Sequence, residues 1–243
     1  MDLSFQEKFR LGFHLIQLIF LAELISCSMG NETVTIPSNL DHLVLTAPSL
    51  EQGMDHVENL LGVRPVEGGH HPGFGTHNAL LSLGPQCYLE VIAPDPELPV
   101  PENGLLFEEY FKAAPKLSRW VLRTARLDEL VSNAYQHGLD LGLVSQGSRE
   151  TPEGAVLSWR LTDPSVIPLE GTIPFLIDWG NTSHPATSAV AGGKLVGFHL
   201  EHPQPELVRA SLRLIGTDMK ILPSREVRLV AIIETERGLV ELF

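Results

Sequence analysis

The feature that most constrains this chain is internal repetition: a strand-like run, an amphipathic helix and then more strand-like runs recur three times after Leu40. Leu40–Thr46 alternates and is rich in β-formers, and Ser49 then stands as an N-cap before a helix over Leu50–Leu61. Met54, Val57, Leu60 and Leu61 fall at helical spacing, and Gly62 stops the helix. Thr76–Leu83 and Cys87–Ala93 read as strands joined at Gly84-Pro85, with a short strand expected at Arg64–Val66. The glycines and proline of Gly68–Gly75 predict a loop. After a proline-rich linker holding a short amphipathic helix around Leu105–Ala113, the pattern restarts with a strand at Leu117–Thr124 and a helix at Leu127–His137. Strand-like runs follow at Leu141–Val144, Val156–Leu161 and Ile173–Trp179. The third round is a strand at Leu195–Glu201, a helix at Pro205–Ile215, and a hairpin from Val227–Glu234 and Gly238–Phe243. Such spacing means repeated units. The expected fold class is α+β, built of βαβββ units whose small, largely antiparallel sheets carry a helix on one face and need cover on the other. Two units fill 40–180, and a third, shorter βαβββ-like unit fills 181–243.

Strand parity sorts side chains into two faces. Leu43 and Leu45 suit packing under the helix, leaving His42, Val44 and Thr46 opposite; Leu89 and Val91 leave Tyr88, Glu90 and Ile92 opposite. His42 and Glu90 are therefore expected to project into one concavity. There they either form part of a divalent-metal site or hydrogen-bond one another as half-buried groups. In GGHHPGFGTHN, histidines 70, 71 and 77 lie close together on a glycine-rich connection, either facing a ligand or solvent. His77 shares a face with Ala79 and Leu81, and joins His42 and Glu90 if that face is the concave one. Arg119, Val121 and Arg123 share the inward parity of their strand, opposite Trp120, Leu122 and Thr124; an inward arginine suits an anionic ligand, and a surface ion pair is the other reading. Asp178 and Trp179 end the last strand of the second unit, where Trp179 either packs or stacks on a ligand. His199 and His202, three apart in a strand, face opposite ways and make a poor metal pair.

Composition removes other classes. Thirty acidic against 17 basic residues give a net charge of −13, with no Lys/Arg cluster, which argues against nucleic acid. Two cysteines, Cys27 and Cys87, make neither a disulfide framework nor a four-cysteine zinc site. There is no phosphate loop ending in Lys-Ser/Thr, no G-x-S-x-G elbow and no H-E-x-x-H. Residues 1–39 stand apart. Leu11–Cys27 is apolar, short for a membrane span and interrupted by His14, Gln17 and Glu23. It reads as a secretory signal or lipoprotein leader with lipid on Cys27, or as sequence upstream of a start at Met29. The segment is expected to add nothing to the core. The expected location is cytoplasmic, or exported or lipid-anchored if the leader functions.

The segments LDHLVLTAPSLEQG, GGHHPGFGTHNALLSLG and YLEVIAPDP, with RWVLRT, GTIPFLIDWG and RLVAIIETERGLVEL, resemble the glyoxalase-like branch of the vicinal oxygen chelate superfamily. The resemblance implies two βαβββ units paired into curved sheets around a cup, helices outside, and in many members a divalent ion (Zn, Mn, Ni or Fe) held by the first and last strands of both units. Only His42 and Glu90 match those ligand places. Arg119 and Phe175 do not, so His77 or Glu241 would have to complete a set. The implied functions are two. One is metal-assisted isomerase, lyase or dioxygenase chemistry on a small oxygen-rich or anionic metabolite, with Glu90 or His77 carrying the proton. The other is metal-free sequestration of a small molecule, with His42 and Glu90 hydrogen-bonding, Trp120 or Trp179 stacking, and His71, Arg119, Arg123 and Asp178 lining the pocket. A homodimer is one arrangement for the third unit, and membrane contact requires the lipid anchor.

Overall fold

The computed structural model describes residues 36–150, 154 and 156–243, so the expectations for the apolar leader lie outside the described residues. The first unit is β1 (Leu40–Thr46), α1 (Leu50–Leu61), β2 (Val66–His71), β3 (Thr76–Gly84) and β4 (Cys87–Pro94). The second is β5 (Lys116–Arg123), α2 (Leu127–Gln136), β6 (Ser145–Glu150), β7 (Val156–Leu161) and β8 (Phe175–Asp178). All eight strands form one mixed sheet in the order β2-β3-β4-β1-β5-β8-β7-β6. In each unit the first strand runs parallel to the last, and the two units join through the antiparallel β1–β5 pair. The sheet curls until its edges meet, where Arg149 of β6 donates to the Gly68 carbonyl of β2 at 2.6 Å.

The first helix forms as its sequence dictates. Ser49 is extended and accepts from the Gln52 N–H, Gly62 closes the helix at φ 84°, and Leu50, Gly53, Met54, Val57 and Leu61 are buried. The convex face of the sheet carries Leu43, Leu45, Leu81, Leu89, Val91, Trp120 and Leu122 in one core shared with the helices. The concave face carries a second, smaller cluster of Val44, Ile92, Val121, Ile177 and Trp179, covered by Phe107 and Phe111 from the linker.

Three local expectations are corrected. Gly68–Gly75 is not wholly loop, because β2 runs through Gly68 and Gly69 to His71 and only the turn after it is irregular. A glycine pair is tolerated on this edge strand beside a register shift between Glu67 and Gly69, where a Cβ on Gly68 would meet Asn78 Oδ1 at 2.4 Å. The strand expected at Leu141–Val144 lies instead at the polar run Ser145–Glu150, fixed by its ladder with β7 rather than by hydrophobic alternation. In the linker, a 3-10 turn at Tyr110–Lys112 replaces the expected helix.

The last run is β9 (Lys194–His202), α3 (Pro205–Leu214), β10 (Ile221–Pro223), β11 (Arg228–Thr235) and β12 (Gly238–Leu242), which keeps the expected strand, helix and closing hairpin, adds the short β10, and pairs differently from the first two units. Its strand order is β10-β9-β11-β12, with β9 parallel to β10 and antiparallel to β11. The crossover through α3 lands directly beside β9, so the remaining hairpin takes its other side. This smaller sheet packs on the convex core, where Phe198 meets Trp120 edge-on at 5.4 Å and Leu195, Leu200 and Ile233 join the same cluster. No helix among the described residues is long and apolar enough to cross a membrane.

Gly53 tests how closely α1 must approach β1 and β4, the strands that carry His42 and Glu90. A Cβ there would lie 2.4 Å from Val91 Cγ1 and 2.9 Å from Ala47 Cβ. Helix propensity favours Gly53→Ala by about 1 kcal/mol, whereas overpacking costs about 1–3 kcal/mol. Urea denaturation of Gly53→Ala is expected to show net destabilisation; a gain in stability would mean that the helix moves away freely.

Candidate functional site

The parallel pairing of β1 and β4 sets His42 beside Tyr88 and Val44 beside Glu90. His42 stacks on the Tyr88 ring at 4.5 Å and 17°, and its Nδ1 lies 2.7 Å from Asp41 Oδ1. An ionised carboxylate only accepts, so Nδ1 donates to Asp41 and Nε2 is turned toward the cup. Glu90 Oε2 is 3.6 Å from that Nε2, beyond a direct hydrogen bond, while its Oε1 accepts from Asn78 Nδ2 at 2.6 Å.

Asp41 is fully buried and anchors the site. Its oxygens accept from His42, from Trp179 Nε1 at 3.0 Å, from His184 Nε2 at 3.1 Å and from Arg123 at 3.3 Å. His184 Nδ1 accepts from the Ala186 N–H, which leaves the Nε2 proton for Asp41. Burial alone would raise the Asp41 pKa, but the hydrogen bonds from His184 and His42 outweigh it and hold the carboxyl well below its usual range.

Of these groups, His42, Glu90, Asn78, Tyr88 and Trp179 line a cavity of about 70 Å³ on the concave face. His42, Asn78, Tyr88 and Glu90 come from the first unit and Arg149 from β6, with His71 and Phe74 on the β2–β3 hairpin and Trp159, Phe175 and Trp179 as an aromatic wall. Burial lowers the His71 pKa, so its imidazole is neutral at neutral pH. Burial also keeps the Tyr88 phenol protonated and pushes the Cys87 thiol up to about 12, which leaves no thiolate nucleophile there.

Of the residues singled out from the sequence, His42, His71, Glu90 and Trp179 come together here. His77 does not: it lies on the convex side, with Ala79 and Leu81 in the helix-packed core, and His71 is the imidazole that shares the cup with Glu90. Trp120 is also removed from the site. It is fully buried against Phe198 and donates to the Thr172 carbonyl at 2.9 Å. Arg119 has the inward parity but is closed off by linker aromatics, 4.5 Å from the Tyr110 ring centroid and 5.3 Å from that of Phe107, and donates to the Ser118 carbonyl and the Tyr110 hydroxyl. Arg123 sits at the rim, braced by Asp41 and by Gln86. Asp178 lies in a separate open groove and caps the Gly180 N–H. Glu241 is exposed on β12 of the smaller sheet. Arg149, Asp41 and His184 were missed; Arg149 sits in the run SQGSRE, whose pattern carries no strand signal.

The fold family implies a divalent ion at the first and last strands of both units. In the first unit His42 and Glu90 offer two donors, and in the second Arg119 and Phe175 stand at the corresponding places and offer none. A guanidinium and a phenyl ring cannot ligate a cation, so this donor set does not fit the family's metal centre.

The sequence profile of the glyoxalase-like domain matches residues 40–215. No curated protein matches the chain. Among solved structures, a hypothetical protein from Staphylococcus aureus is similar at 14% identity over 83% of each chain, with a TM-score of 0.52. Methylmalonyl-CoA epimerase from Mycobacterium tuberculosis is 17% identical over 62% of this chain and 94% of its own, with a TM-score of 0.40. A Streptomyces coelicolor methylmalonyl-CoA epimerase bound to 2-nitronate-propionyl-CoA is 13% identical over 62% of this chain and 100% of its own, with a TM-score of 0.41.

The Asp41 network has a signed consequence for pH. A carboxyl whose folded pKa is depressed stabilises the fold above its unfolded value, about 4, and loses that contribution as pH falls toward the folded value. Asp41→Asn leaves donors facing an amide and is expected to destabilise the protein by about 3–5 kcal/mol at pH 7. Urea melts at pH 7 and about pH 3 should show the gap between wild type and variant narrowing in acid. A constant gap would assign the Asp41 contribution to shape rather than charge.

Proposed function

We propose that this chain, which belongs to the glyoxalase-like domain family of the vicinal oxygen chelate superfamily, binds a small anionic, carbonyl-bearing metabolite in its cup and moves a proton on it. The observation that carries this reading is the approach of His42 Nε2 to Glu90 Oε2 at 3.6 Å, with the imidazole locked by Asp41. An imidazole whose Nε2 is aimed inward and a carboxylate beside it are two groups able to take or give a proton within reach of one substrate carbon. That suits abstraction of a proton next to a carbonyl and its return. Arg149 lines the same cavity and supplies the cation that a carboxylate, or the oxyanion formed on proton loss, requires. Trp159, Trp179 and Phe175 add an apolar wall that limits the ligand to a small body and strengthens each charge interaction inside. No step passes through a metal ion.

The second reading is capture without chemistry, favoured by the aromatic wall. The two part in one experiment. Small 2-oxo acids and other carbonyl carboxylates are screened by tryptophan fluorescence, and exchange of the proton beside the carbonyl is followed by NMR in deuterated water. Wild type is expected to catalyse exchange. His42→Gln and Glu90→Gln should each slow it by about 100-fold or more while still binding, and Arg149→Ala should weaken binding by about tenfold. Binding that depends on Arg149 with no exchange in wild type would favour capture. Exchange indifferent to both His42 and Glu90 would sink the catalytic reading.

A further inference from the structure

The β2–β3 hairpin has an outer face as well as an inner one. Strand alternation turns His71 into the cup and His70 outward, and the ladder sets His70 opposite His77. Thr76 pairs with Pro94, which brings Asp95 alongside, and the Asp95 N–H donates to the Gly75 carbonyl at 3.0 Å. One donor atom from each of His70, His77 and Asp95 lies within 4.8 Å of the other two, a grouping found nowhere else among the described residues. We propose that these three residues form a divalent-metal site of the zinc type on the outside of the first unit, separate from the cup.

Two imidazoles and one carboxylate are a borderline-soft set that suits zinc, with a fourth position left to water. The carboxylate is already placed: the Asp95 side chain is fully buried, and its Oδ1 accepts from the Glu97 N–H at 2.9 Å. Its Oδ2 is 2.5 Å from His70 Nδ1, so the metal would replace that contact. Bonds of about 2.0–2.2 Å put tetrahedral donors about 3.4 Å apart, and the His70 side chain, 54% exposed, is free to turn by the ångström or so required. Beside the cluster lies an open hollow of about 450 Å³ lined by His77, Asp95, Glu67 and Glu51, with no Lys or Arg among its described lining residues. Glu51 is engaged by Arg64, which leaves Glu67 as the carboxylate that draws a cation toward the site. The ion would tie the end of β2, the start of β3 and the segment after β4 together. It would thereby brace the turn end of the hairpin, which sets His71 and Phe74 in the cup wall.

The test is a zinc titration of the full chain, stripped of metal, against a chromophoric chelator, with thermal melts run in parallel. Wild type should bind one zinc equivalent at micromolar affinity or tighter and melt higher with zinc. His77→Ala and Asp95→Asn should each weaken that binding by at least about a hundredfold and abolish the shift. His42→Ala and Glu90→Gln should bind as wild type does. Asp95→Asn disturbs a buried group, so the half-buried His77→Ala is the deciding variant. Absence of stoichiometric binding in wild type overturns the proposal, as does equal binding by His77→Ala. Loss of binding in His42→Ala with retention in His77→Ala overturns it too, moves the ion to the cup, and contradicts the metal-free reading of that site.

Discussion

A carboxylate with no exposure to water is expensive unless its charge is fully engaged, and Asp41 makes the rest of the cup depend on how it is engaged. Its donors come from four places in the chain: His42 next door, Arg123 at the end of β5, Trp179 just past β8, and His184 in the connection to the smaller sheet. Removing the charge therefore loosens the seam between the units and the aromatic wall together. It also frees the His42 ring, which is held in place by the hydrogen bond from its Nδ1 to Asp41. The register shift between Leu40 and His42 against β5 lies beside Asp41, where irregular pairing lets it reach those partners.

The two units have the same strand order and differ in what they present. In the second, the place of His42 is taken by Arg119, whose guanidinium is packed into a box rather than into the cup. Gly171, at φ 91°, gives it room, since a Cβ there would lie 2.4 Å from its Nη1. Tyr110 and Phe107 cover its faces, and Phe107 holds a positive φ of 61°, a strained conformation costing about 1–3 kcal/mol that its packing must offset. Burial lowers the Arg119 pKa from its ordinary value, and two of its nitrogens, Nε and Nη2, have no hydrogen-bond partner among the described residues. The residue thus fastens the linker over the cup and leaves the cation's role in the cavity to Arg149.

What the sequence revealed follows the range of the forces involved. The facing of His42 and Glu90 needed only strand alternation in β1 and β4, which buried leucines on the other parity made plain. The α1 boundaries were legible because Ser49 and Gly62 are local stop signals. His71 lines the pocket as expected, whereas His77 was misplaced because β2 carries Gly68 and Gly69 and looks like loop, so the outward facing of β3 at His77 had no neighbour to reveal it. Arg149 was hidden because Ser145–Glu150 holds no apolar residue, and its strand character comes from pairing with β7. Trp120 was placed on the helix side by parity, yet its partner Phe198 lies in the smaller sheet, a contact no local pattern encodes. The same holds for β9, whose neighbours are set by where the α3 crossover lands.

The asymmetry between units decides which chemistry the proposed reading allows. Two identical units would place two imidazoles and two carboxylates around one point, a cluster of donors that demands a cation. Here one unit keeps the imidazole and carboxylate, and the other turns its arginine away at β5, puts a phenyl ring at β8 and brings in a second arginine from β6. The cup is thereby polarised, with bases from the first unit and a fixed positive charge from the second. Such a field favours a ligand that is itself polarised: an acidic carbon toward His42 and Glu90, and an anionic oxygen toward Arg149. Proton loss from that carbon moves negative charge onto the oxygen, toward the cation. Under the proposed reading, the separation of basic and cationic walls would lower the same barrier that a shared metal ion would lower in a symmetric cup.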